Sequence, residues 1–166
     1  MVDIVERLQS VCGIVSTDVA DLTASAHDRW AVAAIVAREP DAVARPATTA
    51  EVAAVLAVCS DAHVPVTPAG ARSGVCGGSM PVHGGVVLDL RGLAGVHAID
   101  DASLLADVGA GTQGDTLEAL LRSDHGLTLG HRPQSIAIST VGGWLACRSA
   151  GPVSYTHLTL PTICSV

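Results

Sequence analysis

Aromatic side chains are almost absent from this chain. Its 166 residues include two tryptophans, one tyrosine and no phenylalanine. A core must therefore be built from Val, Leu, Ala and Ile, which a hydrophobic content of 49% supplies. Basic residues are also scarce: 9 Lys and Arg stand against 16 Asp and Glu, a net charge of -7. With no basic block and no interleaving of basic and aromatic residues, nucleic acid is not an expected partner. An anionic ligand remains open, because backbone N–H groups can hold one without basic side chains. No apolar run reaches the ~18 residues of a membrane-spanning helix, so no integral span is expected. The N-terminal Met1-Val-Asp-Ile-Val-Glu6 is acidic and amphipathic, unlike a signal peptide, and a cytoplasmic location is expected. The five cysteines, Cys12, Cys59, Cys76, Cys147 and Cys164, have neither zinc-knuckle nor CxxC spacing. They read as buried small hydrophobes in a reducing compartment, Cys76 being set apart by its place in a glycine loop, and no metal site is expected.

Glycine, by contrast, is plentiful at 17 residues. The stretch Pro68-Ala-Gly-Ala-Arg-Ser-Gly-Val-Cys-Gly-Gly-Ser79 directly follows an apolar run. Glycine admits positive φ and lets a ligand approach the backbone. The stretch therefore reads either as a plain tight loop or as a phosphate cradle of N–H groups. The segment before it reads as a parallel βαβ unit, with a strand at 42–44, a helix at 50–62 and a strand at 64–67. Thr48 and Glu51 have capping-box spacing, and Val52, Val55, Leu56 and Cys59 recur on one helical face. The loop leaves the carboxyl end of the second strand, where α/β sheets place their ligands. Upstream, the spacing of residues 3–12 predicts a short surface helix ended by Gly13. Residues 17–28 read as irregular, and Trp30 to Val36 as a segment packed across the domain edge.

Downstream, strands are expected at 84–90, 96–100 and 104–108, with Asp100-Asp101 turning between the last two. Gly109-Ala-Gly-Thr112 is a second glycine loop after a strand. Thr112 and Asp115 have N-cap spacing, Leu117, Leu120 and Leu121 form the buried helix face, Gly126 suits its C-terminal cap, and 127–129 reads as a short strand. A third polar, glycine-bearing stretch runs from Gly130 to Gly151. There Ser139 or Thr140 caps a helix beginning at Val141, Gly142-Gly143 permits close approach, and the helix N-terminus is itself expected to attract an anion. Three such loops suggest a long ligand held at several points. They match neither G-x-G-x-x-G nor G-x-x-x-x-G-K-[ST], and the first loop has no lysine, which argues against a nucleotide triphosphatase.

The last stretch differs. From Pro152 to Val166 there is no Asp, Glu, Lys or Arg. Ser154-Tyr-Thr-His-Leu-Thr-Leu-Pro-Thr-Ile-Cys-Ser-Val166 resembles a translated sequencing-adapter read-through. Residues 152–166 are therefore expected to be a non-native tail, the native protein continuing beyond about Gly151.

Together, Arg45-Pro-Ala-Thr-Thr-Ala-Glu-Val52, the Pro68–Gly78 loop, Val87-Leu-Asp-Leu90, Val108-Gly-Ala-Gly111, Thr128-Leu-Gly-His-Arg-Pro-Gln-Ser135 and Thr140-Val-Gly-Gly143 resemble the FAD-binding domain of the vanillyl-alcohol oxidase and p-cresol methylhydroxylase (PCMH) superfamily. The forms Gly130-His-x-Pro-Gln-Ser135, Ser139-Thr-x-Gly-Gly-Trp-x-Ala146 and Arg148-Ser-Ala-Gly151 are most similar to its branch of alkyldihydroxyacetonephosphate synthases and glycolate-oxidase-subunit-like enzymes. The resemblance implies an α+β, PCMH-type FAD-binding fold, a small βαβ subdomain followed by a mixed α/β subdomain and incomplete at the C-terminus. It covers residues 40–151, with 1–39 as an N-terminal helical extension. It implies that Pro68, Ala69, Gly70, Ala71, Arg72, Ser73 and Gly74 wrap the FAD diphosphate. Arg72 stands where the family loop is richer in glycine, and its side chain either adds a charge-assisted contact to phosphate or points to solvent, the second being the favoured expectation because the backbone already supplies donors. Pro133, Gln134, Ser135, Ser139, Thr140, Gly142 and Gly143 would run beside the ribityl chain and flavin ring. Helix capping is an equal reading of Ser139 and Thr140. Trp144 reads as packing, Arg148 as a phosphate partner or a surface residue, and His131 as a group near the ring or a structural hydrogen-bonding histidine. With no histidine in 68–78, covalent attachment there is not expected. The implied function is FAD binding in a flavin-dependent oxidoreductase that passes hydride from an alcohol or hydroxy acid to the flavin, with catalytic groups outside this chain and the chain inactive alone. The alternatives are an alkyldihydroxyacetonephosphate-synthase-like enzyme and an FAD-carrying electron-transfer or binding subunit. The implied partners are a small-molecule substrate and, for the full-length protein, a second copy or an electron acceptor.

Overall fold

The computed structural model describes residues 2–29 and 38–149. The expectations for Trp30–Val36 and for the tail at 152–166 lie outside these residues. The chain divides after Leu93 into two compact units.

The first unit contains α1 (Val2–Gln9), β1 (Val15–Ser16), α2 (Val19–Ser25), β2 (Ala42–Ala44), α3 (Thr49–Asp61), β3 (Val66–Ala69), β4 (Val86–Asp89) and a 3-10 turn (Leu90–Gly92). The sheet order is β1-β2-β4-β3. β4 runs parallel to both β2 and β3, and β1 is antiparallel to β2. The expected βαβ unit is thus present, with β4 inserted between its two strands. β2 and β4 are buried along their whole lengths, as central strands covered on both faces must be. Alternation of side chains divides the core in two. Ala42, Ala44, Val86 and Leu88 pack with Leu8, Cys12, Val55 and Cys59. Val43, Ala69 and Val87 form the opposite cluster, with Leu22 packed against it.

α3 begins as its sequence predicts. Glu51 N–H donates to Thr48 Oγ1 at 3.1 Å, and Ala47 N–H donates to Glu51 Oε2 at 2.8 Å. Leu56 departs from the expected buried face, being 44% exposed. Residues 17–28 are not irregular: Asp18 caps α2, its Oδ1 accepting from Ala20 N–H at 2.9 Å and Asp21 N–H at 3.4 Å. α1 stops at Gln9, before Gly13, and its last turn closes with Cys12 N–H on Leu8 O at 2.9 Å. The segment read as an N-terminal extension is built into this unit, since β1 pairs with β2 and Leu8 and Cys12 are in the core.

The second unit contains β5 (Val96–Asp100), β6 (Leu105–Val108), α4 (Gly114–Leu120) continuing into a π turn (Leu121–His125), a 3-10 turn (Ile136–Ile138) and α5 (Val141–Cys147). β5 and β6 form an antiparallel hairpin. Asp100 Oδ1 accepts from Ala102 and Ser103 N–H at 3.0 and 3.1 Å and so shapes its turn. Leu117 and Leu121 are buried as expected. Gly126, with φ of 64°, ends the helical run. Thr112 does not cap α4. Its Oγ1 accepts from Gly95 N–H at 2.9 Å and donates to Gly95 O at 3.1 Å, while Gln113 holds the cap position without a side-chain bond. Residues 127–129 form no strand: Leu129 N–H and the Thr128 hydroxyl bind the Glu118 carboxylate instead.

Cys12 and Cys59 are buried, but Cys76 and Cys147 are exposed, against the expectation for Cys147. Among the described residues no helix is long and apolar enough to cross a membrane.

Candidate functional site

The glycine loop leaves the carboxyl end of β3, where Ala69 pairs with Asp89 of β4. Pro68 is exposed, Ala69 is buried, Gly70 to Ser73 are half-buried and Gly74 is exposed. A cradle requires N–H groups without internal partners. Among the described residues, the N–H groups of Ala71, Arg72, Ser73 and Gly74 donate to no acceptor. The far side of the loop is tied down, with Arg29 N–H donating to Gly74 O at 3.0 Å and Gly77 N–H to Asp28 Oδ2 at 2.8 Å.

Arg72 does not point to solvent, which corrects the sequence-based expectation. Its side chain is 12% exposed and stands 4.0 Å from Asp89 Oδ2. Its guanidinium donates to Ser25 Oγ at 3.0 Å. The reason is a carboxylate buried beside the loop: Asp89 is 1% exposed. Asp89 draws arginines from three strand ends. Arg91 donates to both of its oxygens, at 2.9 and 2.6 Å. Arg45 Nε lies 3.5 Å away, and Arg45 also grips Asp21 with two bonds, of 3.1 and 2.9 Å. Burial alone would raise the Asp89 carboxyl, but hydrogen bonds from Arg91 and the charge of Arg72 hold it below the ordinary value. Burial pulls the Arg72 guanidinium down, with Asp89 opposing. Arg72 Nε is buried and has no hydrogen-bond partner among the described residues. Three arginines against Asp21 and Asp89 leave the cluster one positive charge in excess.

In the second unit the structure gathers Ser135, Ser139, Thr140, Gly142, Gly143 and Trp144 at the start of α5. Pro133 is buried beside them in sequence, and Gln134 is exposed. The Ser139 hydroxyl donates to Ser135 O at 2.7 Å and accepts from Trp144 Nε1 at 2.6 Å. Thr140 caps α5, accepting from Gly143 N–H at 3.4 Å. Val141 N–H donates to Thr112 O at 3.0 Å and Gly142 N–H to Ala110 O at 2.8 Å, lacing the second glycine loop to the third stretch. Gly142 is required there, since a Cβ would stand 2.8 Å from Ala110 Cβ and Ala110 O. These bonds overturn the expected anion site at the α5 N-terminus: the N–H groups of Val141, Gly142 and Gly143 are already donated within the protein. Trp144 is buried packing, as expected. His131 stacks edge-to-face on it, centroids 4.9 Å apart. Neither His131 ring nitrogen has a partner among the described residues, so the structural hydrogen-bonding reading is not met. Burial lowers its pKa. Arg148 is exposed and closes α5 in the left-handed region, with φ of 48°.

The residues missed from sequence are Ser25, Arg45, Asp89 and Arg91. Asp89 did carry a signal, as a lone acid at the end of an apolar strand. The second unit also contains an apolar cavity. It holds about 560 Å³ and is lined by Leu105, Val108, Leu117, Leu121, Val141 and Leu145 among others. It offers no titratable side chain for chemistry.

A family model described as an FAD binding domain matches residues 40–166. The chain is 36% identical over 113 residues to glycolate oxidase subunit GlcD of Bacillus subtilis, covering 68% of this chain and 24% of that one. It is 33% identical over 119 residues to alkyldihydroxyacetonephosphate synthase of Dictyostelium discoideum, covering 70% of this chain and 19% of that one. The chain thus spans a quarter or less of the length of these two curated relatives. Among solved structures, an alkyldihydroxyacetonephosphate synthase superposes with a TM-score of 0.82 at 26% identity, covering 92% of this chain and 30% of that one. p-Cresol methylhydroxylase superposes with a TM-score of 0.77 at 21% identity over 90% of this chain and 30% of that one, a likeness of fold. With the motif order, the α+β architecture and the family match in agreement, the chain belongs to the FAD binding domain family and has the PCMH-type fold.

Proposed function

We propose that this chain forms the diphosphate-binding portion of a flavin-dependent oxidoreductase acting on an alcohol or hydroxy acid. The observation that carries the reading is the loop Ala71–Gly74, whose N–H groups are unclaimed among the described residues, beside an arginine cluster around the buried Asp89 with one excess positive charge. Such a loop suits a diphosphate. Pro68, Ala69, Gly70, Ala71, Arg72, Ser73 and Gly74 would hold that group, Pro68 and Ala69 as the rigid strand end and the rest mainly through the backbone. Pro133, Gln134, Ser135, Ser139, Thr140, Gly142 and Gly143 would lie along the ribityl chain and ring. Among them, Gln134 and Ser135 are not buried, while Ser139, Thr140 and Gly142 shape the segment from within. Bound FAD supplies the two-electron redox chemistry, and the protein positions it.

Hydroxy-acid chemistry is favoured by the printed names of relatives, among them the glycolate oxidase subunit, a D-lactate dehydrogenase and a D-2-hydroxyglutarate dehydrogenase. The second reading, an alkyldihydroxyacetonephosphate-synthase-like enzyme, is favoured by two synthase relatives and by the 0.82 superposition. Purification of the gene's whole product tests both. It should carry a flavin spectrum, and glycolate or D-lactate should bleach that spectrum without air. No flavin and no uptake of added FAD would overturn the cofactor reading. Bound flavin that no hydroxy acid or alcohol reduces would move the assignment to the synthase class. Bleaching in the absence of any second protein would exclude a subunit that merely carries FAD for a partner.

A further inference from the structure

We infer that Asp89 is a positioning residue for the diphosphate loop: by holding Arg72, it keeps the loop in the conformation that presents its N–H groups. The inference rests on the FAD reading above.

Arg72 has φ of 53°, a left-handed conformation unfavourable for a residue with a Cβ. An anion-binding nest needs a left-handed residue beside a right-handed one, because that alternation turns successive N–H groups toward one point. Glycine would adopt the left-handed geometry freely, but would also leave it freely. Arginine persists there only if the surroundings over-determine it. The surroundings are on view. Its guanidinium is held by Ser25 Oγ at 3.0 Å and faces Asp89 Oδ2 at 4.0 Å. Ser25 and Asp89 are each 1% exposed, and Asp89 is the one buried charged residue among those described.

The position of Asp89 suits this role better than a purely structural one. A buried acid needs one good partner, and Arg91 already binds both of its oxygens. Yet Arg45 and Arg72 approach it as well. Arg45 follows β2, Arg72 follows β3, and Arg91 follows β4. One carboxylate therefore ties together the carboxyl ends of the parallel strands, at the edge from which the loop departs. The excess positive charge lies there too, as does the Nε of Arg72, which has no partner among the described residues. Asp89 touches no cofactor in this scheme and acts through Arg72.

A double-mutant cycle on the gene's whole product, read as the Kd for FAD from flavin fluorescence, tests the coupling. Asp89→Asn is expected to weaken FAD binding about tenfold in the presence of Arg72, and by less than about twofold in an Arg72→Gly background. Ser25→Ala removes the second anchor and leaves the Asp89 carboxylate and its Arg91 bonds in place. It should weaken binding about threefold, and again only when Arg72 is present. It keeps the test decisive if Asp89→Asn does not fold. An unchanged Kd in Ser25→Ala and any folded Asp89→Asn, or equal weakening in both backgrounds, would overturn the inference while leaving the FAD reading intact. A parent protein that takes up no FAD would overturn both.

Discussion

Replacing Gly114 by alanine sets two effects of known size against each other. Gly114 opens α4, and a Cβ there would collide with two ring carbons of Trp144 and stand 3.0 Å from Ile136 Cγ1. Helix propensity favours alanine by about 1 kcal/mol, and by less at a first helical position. Overpacking costs about 1–3 kcal/mol. The deciding question is whether the indole can move. It is 6% exposed, its N–H is bound to Ser139 Oγ at 2.6 Å, and the His131 ring packs against it at 4.9 Å. Shifting the ring also risks a buried N–H without a partner, at about 1–3 kcal/mol. Overpacking therefore wins, and Gly114→Ala should destabilise the protein by about 1–3 kcal/mol. Urea unfolding followed by tryptophan emission in a Trp30→Phe background, where Trp144 is the remaining indole, would measure it. Gly78→Ala serves as the control. Nothing lies within 4 Å of a Cβ there, and its change should stay within about 0.5 kcal/mol. A Gly114→Ala protein as stable as its parent, with Trp144 emission unmoved, would refute the wedge of Trp144 against α4.

Four further outcomes are expected. His131 has its folded pKa lowered by burial, so the unfolded chain binds the proton more readily. Stability from this group is complete above the unfolded value and is lost as pH falls below it, and His131→Gln should flatten that slope in pH-dependent denaturation. The Asp21 carboxyl, hydrogen-bonded by Arg45, is held down at about 2. Carboxyl NMR should show it titrating there, its stabilising effect complete above the unfolded carboxyl value and lost as pH falls from that value through about 2, and Arg45→Met should return it toward the ordinary range. Thr48→Ala removes the α3 cap and should cost about 1 kcal/mol in thermal or chemical unfolding. Mass-mapped thiol labelling of the native protein should modify Cys76 and Cys147 promptly and reach Cys12 and Cys59 only on unfolding.

Features set by neighbours in sequence were legible without coordinates. The Thr48–Glu51 cap, the β5–β6 hairpin with its Asp100 turn, the left-handed Gly126 and the Thr140 cap all depend on contacts within a few residues. The glycine loops were legible for the same reason, and their order along the chain carried the family. Errors arose where a distant partner outbid the local one. The spacing of Thr112 to Asp115 predicts a cap, but Gly95 claims its hydroxyl. Leu127–Leu129 had strand composition, but Glu118 takes its polar groups. Helix α2 is invisible to periodicity because its seven residues are too few for a clear period.

Three features are written in the chain itself: a glycine loop that follows a strand, loop residues that suit an anionic ligand, and α and β elements around an aliphatic core. These follow from backbone freedom and from periodicity, both local properties. The entry of β4 between β2 and β3, which brings Asp89 beside Ala69 at the mouth of the loop, is an outcome of folding. So is the inward turn of Arg72, since the attraction comes from a carboxylate 17 residues away in the chain and 4.0 Å away in space. Folding also decides which N–H groups remain free. Those at the start of α5 are consumed by Ala110, Thr112 and Thr140, whereas those of Ala71–Gly74 find no acceptor among the described residues. A hydrogen-bond donor is spent or spared by what folds against it, and spacing along the chain does not record that.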